Sequence, residues 1–238
     1  MTFKRVLKIT AGLVIFFTLP SLLFFGFVYF KYNEDLPQGK QGEQAEALAQ
    51  SMLKALDYEA YKNTNYIEWT FKNRHHYKWQ KDQNTCVVYW KEYKVDLNLN
   101  SPSESKAYVH NFKVEGEQAK ELISEATDYF NNDSFWLVAP YKVLDPGTQR
   151  SLVKTESGEE GLMVTYTSGG TTPGDSYVWI LDKNHKPTKF KMWVDILPIG
   201  GLEASWTDWT TTESGAQLPT FHELLFLGIE MGNVKGTN

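Results

Sequence analysis

The chain has 238 residues and a net charge of −5, with 42% hydrophobic and 22% charged side chains, a globular rather than a disordered composition. Residues 1–31 hold Lys4, Arg5, Lys8 and Lys31 and no acid, so all 29 acidic residues fall on the remainder, which is strongly negative. An exterior of that sign repels phosphate backbones, which excludes nucleic acid as a partner.

Ile9 to Phe30 is 22 residues long without a charge. As a helix it would measure about 33 Å, the thickness of the hydrocarbon core of a bilayer. Pro20 should kink it, with Thr18 and Ser21 near enough to compensate. Tyr29 and Tyr32 stand where interfacial anchors are expected. Lys4, Arg5 and Lys8 precede the segment, whereas Lys31 is followed by Glu34 and Asp35. The positive-inside rule therefore predicts a single-pass anchor with residues 1–8 cytoplasmic and the bulk of the chain extracytoplasmic, in a periplasm-like compartment. A cleaved signal peptide fits less well: the apolar run is too long, residues 24–36 offer no Ala-x-Ala, and no cysteine follows for lipoprotein processing.

Residues 31–42 are mostly polar, with Pro37, Gly39 and Gly42, and read as a juxtamembrane linker. From Glu43 to Tyr61, Ala45, Leu48, Ala49, Met52, Leu53 and Leu56 recur at helical spacing and predict one amphipathic helix. From Tyr66 the period becomes two. Ile67, Trp69 and Phe71 alternate with polar residues, as do Val95, Leu97 and Leu99, with His76–Lys81 and Thr85–Trp90 between them and a turn at Gln83-Asn84. Short strands on tight turns make an antiparallel meander. Cys86, alone in the chain, reads as a small buried hydrophobe of this block.

Gly116 to Phe130 returns to helical spacing, ended by Asn131-Asn132-Asp133 and followed by an apolar stretch, Ser134 to Tyr141. A second β block is predicted at 151–156, 162–167, 176–181, 189–194, 204–211 and 221–228. Its turns fall at Asp145-Pro-Gly147, Ser157-Gly158, Gly169-Gly170, Pro173-Gly174, Asn184 and Gly200-Gly201. So many consecutive strands must curl, and two helices cannot cover both faces of the sheet. The prediction is a β-rich α+β protein. An N-terminal transmembrane helix is followed by a strongly curved antiparallel sheet, an incomplete β-barrel, with helices on its concave side.

The runs Phe135–Lys142, Asp145–Gly147, Thr172–Trp179 and Trp206–Trp209 resemble the LolA-like superfamily, the periplasmic lipoprotein carriers and their lipid-binding relatives. The resemblance spans about residues 43–230. It implies an unclosed barrel whose open side is plugged by helices and whose interior is an apolar cavity for acyl chains. With the charge and composition readings above, the expected organisation is 1–8 cytoplasmic, 9–30 transmembrane, 31–42 linker, 43–231 half-barrel domain and 232–238 flexible tail. Two departures stand out. The carriers are freely diffusing, whereas this chain is tethered; and neither Arg74 nor Arg150 sits in a motif matching the arginine with which the carriers lock their lid.

No catalytic constellation is legible. His75 and His76 are adjacent, so a strand would send them to opposite faces. His110, His185 and His222 lie apart, and His222-Glu223 lacks the spacing of a zinc-protease helix. No metal ligand set and no cofactor motif is predicted; Gly169 to Asp175 lacks the lysine and helix of a phosphate loop. The remaining signal is aromatic. Trp69, Phe71, Trp79 and Trp90 on the meander, with Phe135 and Trp136 on the apolar stretch, are the candidate wall and lid of a cavity. The expected partner is a lipid or lipidated protein, bound by burial without enzymatic activity. The alternatives are a structural or interaction subunit of an envelope complex with a filled barrel, and an envelope hydrolase.

Overall fold

The computed structural model describes residues 3–168 and 173–238; Met1 and Thr2 of the expected cytoplasmic segment, the Gly169-Gly170 turn and Thr172 lie outside these residues. The first helix, α1 (Phe3–Tyr32), runs unbroken through Pro20. Proline denies Phe16 its usual helical N–H partner. The hydroxyls on either side bond backwards instead, Thr18 to Val14 O at 2.8 Å and Ser21 to Phe17 O at 3.5 Å. Its apolar side chains point outward over most of its length, Phe16 and Phe17 each 70% exposed. It is long and apolar enough to span a membrane or to serve as a signal anchor.

The expected single helix at 43–61 is two, α2 (Glu43–Ala55) and α3 (Tyr58–Asn63). The break is at Asp57, which turns left-handed with φ of 53°. There its carboxylate accepts the N–H of Ala60 and caps α3. An apolar period continues across such a break because both helices bury the same face, which is why spacing alone reads them as one.

The first block is a meander of β1 (Tyr66–Phe71), β2 (His75–Gln80), β3 (Thr85–Trp90), β4 (Tyr93–Asn98), β5 (Lys106–Val109) and β6 (Phe112–Val114). The second comprises β7 (Thr148–Lys154), β8 (Glu160–Tyr166), β9 (Ser176–Leu181), β10 (Pro187–Trp193), β11 (Leu202–Ser205), β12 (Thr207–Thr211), β13 (Gln217–Leu224) and β14 (Leu227–Thr237). All belong to one antiparallel sheet in the order β6-β5-β4-β3-β2-β1-β14-β13-β11-β10-β9-β8-β7, with β12 attached to β13. The two blocks join through β1 and β14, and the sheet does not close. The expected 204–211 strand is split at Trp206, whose buried ring turns inward while its N–H bonds Thr188 O.

The expected flexible tail is a correction. Residues 232–237 complete β14, which pairs with β1 as far as Thr237 opposite Tyr66. Gly, Asn and Lys give this stretch the composition of a frayed end, yet it supplies the seam between the two halves. The domain therefore runs past 231.

Between the blocks lies α4 (Gly116–Val138), followed by a 3-10 turn, Ala139–Lys142. Asn131-Asn132-Asp133 does not end this helix, and the stretch 134–138 is its last turns. Asn and Asp are poor helix formers, but here Asp133 is held by side chains of the sheet. α4 also reveals the curvature. Phe130 lies 6.3 Å from Trp69 on β1 and 5.3 Å from Trp79 on β2. Phe135 lies 4.8 Å from Tyr177 on β9 and 5.8 Å from Phe190 on β10. Five residues along a helix are roughly 140° apart around its axis, so the sheet wraps around α4.

Candidate functional site

The register places one continuous row of aromatic and aliphatic residues beneath α4. Ile67 faces Trp79, then Cys86 and Leu97; Trp69 faces Tyr77, Val88 and Val95; Phe71 faces His75, Trp90 and Tyr93. Alternation sends all of these to one face of the sheet. Trp69 is fully buried and stacks on Tyr77 with ring centres 4.4 Å apart. Trp79 meets Phe130 edge-on, and Trp90 meets Tyr129 edge-on at 5.7 Å. Of the six wall and lid candidates, Trp69, Phe71, Trp79 and Trp90 therefore share this face. Phe135 and Trp136 lie further along α4 in a second aromatic cluster with Tyr177, Trp179, Phe190 and Trp206. The helix joins the two groups without bringing them into one wall.

Both clusters contain the same anomaly. The indole Nε1 atoms of Trp69, Trp79, Trp90, Trp179 and Trp206 are buried and have no hydrogen-bond partner among the described residues. A buried donor without an acceptor costs about 1–3 kcal/mol, which makes five of them in one interior conspicuous.

One polar group interrupts the first cluster. Asp133 is 1% exposed, and its Oδ2 accepts from Tyr77 at 2.6 Å and from His75 Nδ1 at 2.7 Å, while Oδ1 accepts from Asn132 at 2.8 Å. A carboxylate only accepts, so His75 carries its proton on Nδ1. Burial, reinforced by the Asp133 charge, pushes the Tyr77 hydroxyl far above the usual phenol range. The His75 ring stacks on Tyr129 at 4.0 Å. His76 points to the other face, where Nε2 lies 3.4 Å from Glu68, as adjacent strand positions require. The His75–Asp133 pair was not anticipated. The signal lay in the helix pattern: Asp133 falls seven residues after Ala126, on the buried stripe of α4, where a carboxylate needs partners.

His222 is a second buried polar group. Nδ1 faces Ser205 O at 2.9 Å and Nε2 faces Trp136 O at 2.7 Å, fastening the last turns of α4 to β13. Burial pushes its pKa down to about 4, although both carbonyls favour the protonated ring. Burial is the larger influence on its pKa; a neutral ring donates to one of the two carbonyls, a protonated ring to both.

Arg150 clasps the second helix. Its Nε reaches both carboxylate oxygens of Glu46 on α2 at 2.8 Å, and its Nη1 donates to Val143 O and Thr148 O. α2 is thereby fixed over β7. Arg74 stands exposed at the β1–β2 turn. Between α4 and the β4–β5 connection, a groove of about 490 Å³ is lined by Pro102, Lys120, Ile123 and Thr127. Burial raises the Cys86 thiol well above its usual range, in keeping with a packing role. No cluster of three metal-ligating side chains occurs among the described residues.

No protein-family model and no curated protein matches the chain. Among solved structures, a DUF1329 family protein from Desulfovibrio piger is similar to it, with a TM-score of 0.39 and 9% sequence identity over 82% of this chain and 94% of that one. A likeness at that level leaves the LolA-like resemblance an expectation.

Proposed function

We propose that the chain is a single-pass, membrane-tethered domain on the extracytoplasmic side that holds a lipid or the acyl chain of a lipidated protein between the aromatic face of β1–β3 and α4. The unpartnered indole donors of Trp69, Trp79 and Trp90 on that face carry this reading. A buried indole N–H without an acceptor carries a cost that an acceptor on a bound molecule would relieve. A ligand with long apolar chains and ester or amide carbonyls would bury against these rings and supply the missing acceptors. Each CH₂ taken from water contributes about 0.8 kcal/mol. The groove at Ile123 and Thr127 lies where such a chain would enter beside α4. The protein acts by burial and not by catalysis. Asp133 is already engaged by three donors, and His75 is stacked on Tyr129, so the pair serves to seat the helix.

The contact of Phe130 with Trp69, Tyr77 and Trp79 favours a second reading, a filled interior in an interaction subunit of an envelope complex. The two separate on one measurement. The full chain is extracted from its membrane, moved into nanodiscs of a single synthetic ether lipid, and its solvent extract is analysed by mass spectrometry. Retention of about one native acyl lipid per protein is expected, and its loss in a Trp69→Phe, Trp79→Phe, Trp90→Phe variant that still folds. A wild-type chain retaining no native lipid would leave the filled-interior reading.

A further inference from the structure

Two apolar prominences stand out of the domain at the end from which α1 leaves. At the β13–β14 turn, Phe226 is 68% and Leu227 48% exposed; in the loop between β10 and β11, Ile196 is 74% exposed. Each flanks α1. Phe226 lies 6.1 Å from Phe24, ring to ring. The β10–β11 loop grips the residues after the helix, with Glu34 N donating to Gly200 O and Gly200 N donating to Asn33 Oδ1, both at 3.0 Å.

The helix side of this contact is a stripe. Phe24, Val28 and Tyr32 are spaced by four, so they share one face of α1. Val28 is buried in the core of the domain, and Tyr32 packs against it. The orientation is held further on, where Lys191 Nζ meets Glu34 Oε1 at 2.5 Å, Trp193 Nε1 donates to Glu34 O at 2.9 Å, and Lys40 bridges to Leu152 on β7. Glycine is required at this grip. A Cβ at Gly200 would stand 2.8 Å from Glu34 O, and one at Gly201 2.8 Å from Glu34 Cβ. The linker is therefore a strap, and the domain has a set height against the helix.

We infer that this end of the domain is itself a membrane-binding surface, with the β13–β14 turn inserted among the acyl chains of the leaflet on its own side. The inference rests on reading α1 as a membrane anchor, because the helix then sets the depth. Phe24 precedes Phe30, the last residue of the charge-free run, by six residues, about 9 Å along the axis. A ring touching Phe24 is about that far below the level where the apolar segment ends. Lys72 N donates to Glu230 O, three residues and about 10 Å along β14 from Leu227, so the β1–β2 turn with Lys72 and Arg74 lies one layer above the tip beside the exposed Glu230, while the exposed Glu223, opposite Gly228, stands closer to the tip and marks the limit of insertion. An aromatic tip with basic residues one layer above it is the arrangement of an interfacial anchor.

Spin labels on the full chain in liposomes of phosphatidylcholine and phosphatidylglycerol test this. Cys86 is 1% exposed and stays unlabelled, so Phe226→Cys, Leu227→Cys, Asn184→Cys and Phe16→Cys each give one reporting site. Asn184 lies in the β9–β10 turn, at the opposite end of β10 from the Ile196 loop. At positions 226 and 227, collisions with a water-soluble nickel chelate should be at least tenfold rarer than at 184, and collisions with oxygen more frequent. Nickel access at 226 and 227 equal to that at 184, or shielding from both reagents, would overturn the inference. Position 16 separates the two failures. If 16 is in lipid while 226 is in water, only the inserted turn is refuted; if 16 is also in water, the anchor reading falls with it. Neither outcome bears on whether the interior holds a lipid.

Discussion

Asp133 and Tyr77 meet at 2.6 Å across 56 positions of sequence, one from the middle of a helix and one from a strand, and both are buried. With His75 they form a polar junction between α4 and the meander inside the aromatic cluster. Two donors aimed at a single carboxylate oxygen make the junction directional, whereas the rings around it tolerate sliding. The register of α4 on the sheet is set there.

Removing the carboxylate should be costly. Asp133→Ala leaves the Tyr77 hydroxyl and His75 Nδ1 buried without an acceptor, and a loss of about 3 kcal/mol is expected. Asp133→Asn retains an acceptor and should lose about half as much. Denaturant titration followed by tryptophan emission reads both; equal, near-zero effects would show that the junction does not hold the helix.

His222 predicts a pH dependence of stability. Its folded pKa of about 4 is below the unfolded value near 6.5, so the unfolded chain binds more protons between these limits. The stabilisation it contributes is fully present above pH 6.5 and is lost as pH falls towards 4, by about 3 kcal/mol at most. His222→Gln, which still donates to one of the two carbonyls, should flatten the melting temperature over that interval relative to wild type. An unchanged profile would assign the acid sensitivity elsewhere.

The strap should respond asymmetrically. Lys191 is almost wholly buried, whereas Glu34 keeps some contact with water, at 7% and 21% side-chain exposure. Glu34→Ala strands a buried ammonium and should cost about 2 kcal/mol; Lys191→Met fills the same space without a charge and should be close to neutral. Hydrogen exchange at residues 33–40 should accelerate in the first variant and much less in the second. The reverse order would contradict the burial asymmetry.

How far the sequence reached is clearest at particular residues. Ile67, Trp69 and Phe71 announced a strand by alternation, and the adjacent pair His75-His76 announced its own divergence, because a pleated backbone leaves neighbours no common face. Asp57 and Asp133 misled in opposite directions. At Asp57 the apolar period ran straight through a real break. At Asp133 a helix-breaking composition ran straight through a real helix, because its tertiary partners outweigh a propensity difference of less than about 1 kcal/mol. The six candidate aromatics were legible as the wall and lid of a cavity; five are buried and Phe135 partly so, and their division into two clusters along α4 was not legible.

By itself, the sequence determined most of the helical and strand segments, that α1 is apolar enough to cross a bilayer, and that so many strands must form a curled sheet. These follow from local periodicity and from steric limits on flat sheets, and both act between near neighbours. Only the tertiary structure decided that the last residues form the seam with β1, that the linker is a strap, that Asp133 lies beneath His75 and Tyr77, and that Phe226 stands beside Phe24. Each of these joins residues tens to hundreds of positions apart. Such contacts arise from how the whole sheet wraps its helix, and no short window of residues encodes that closure.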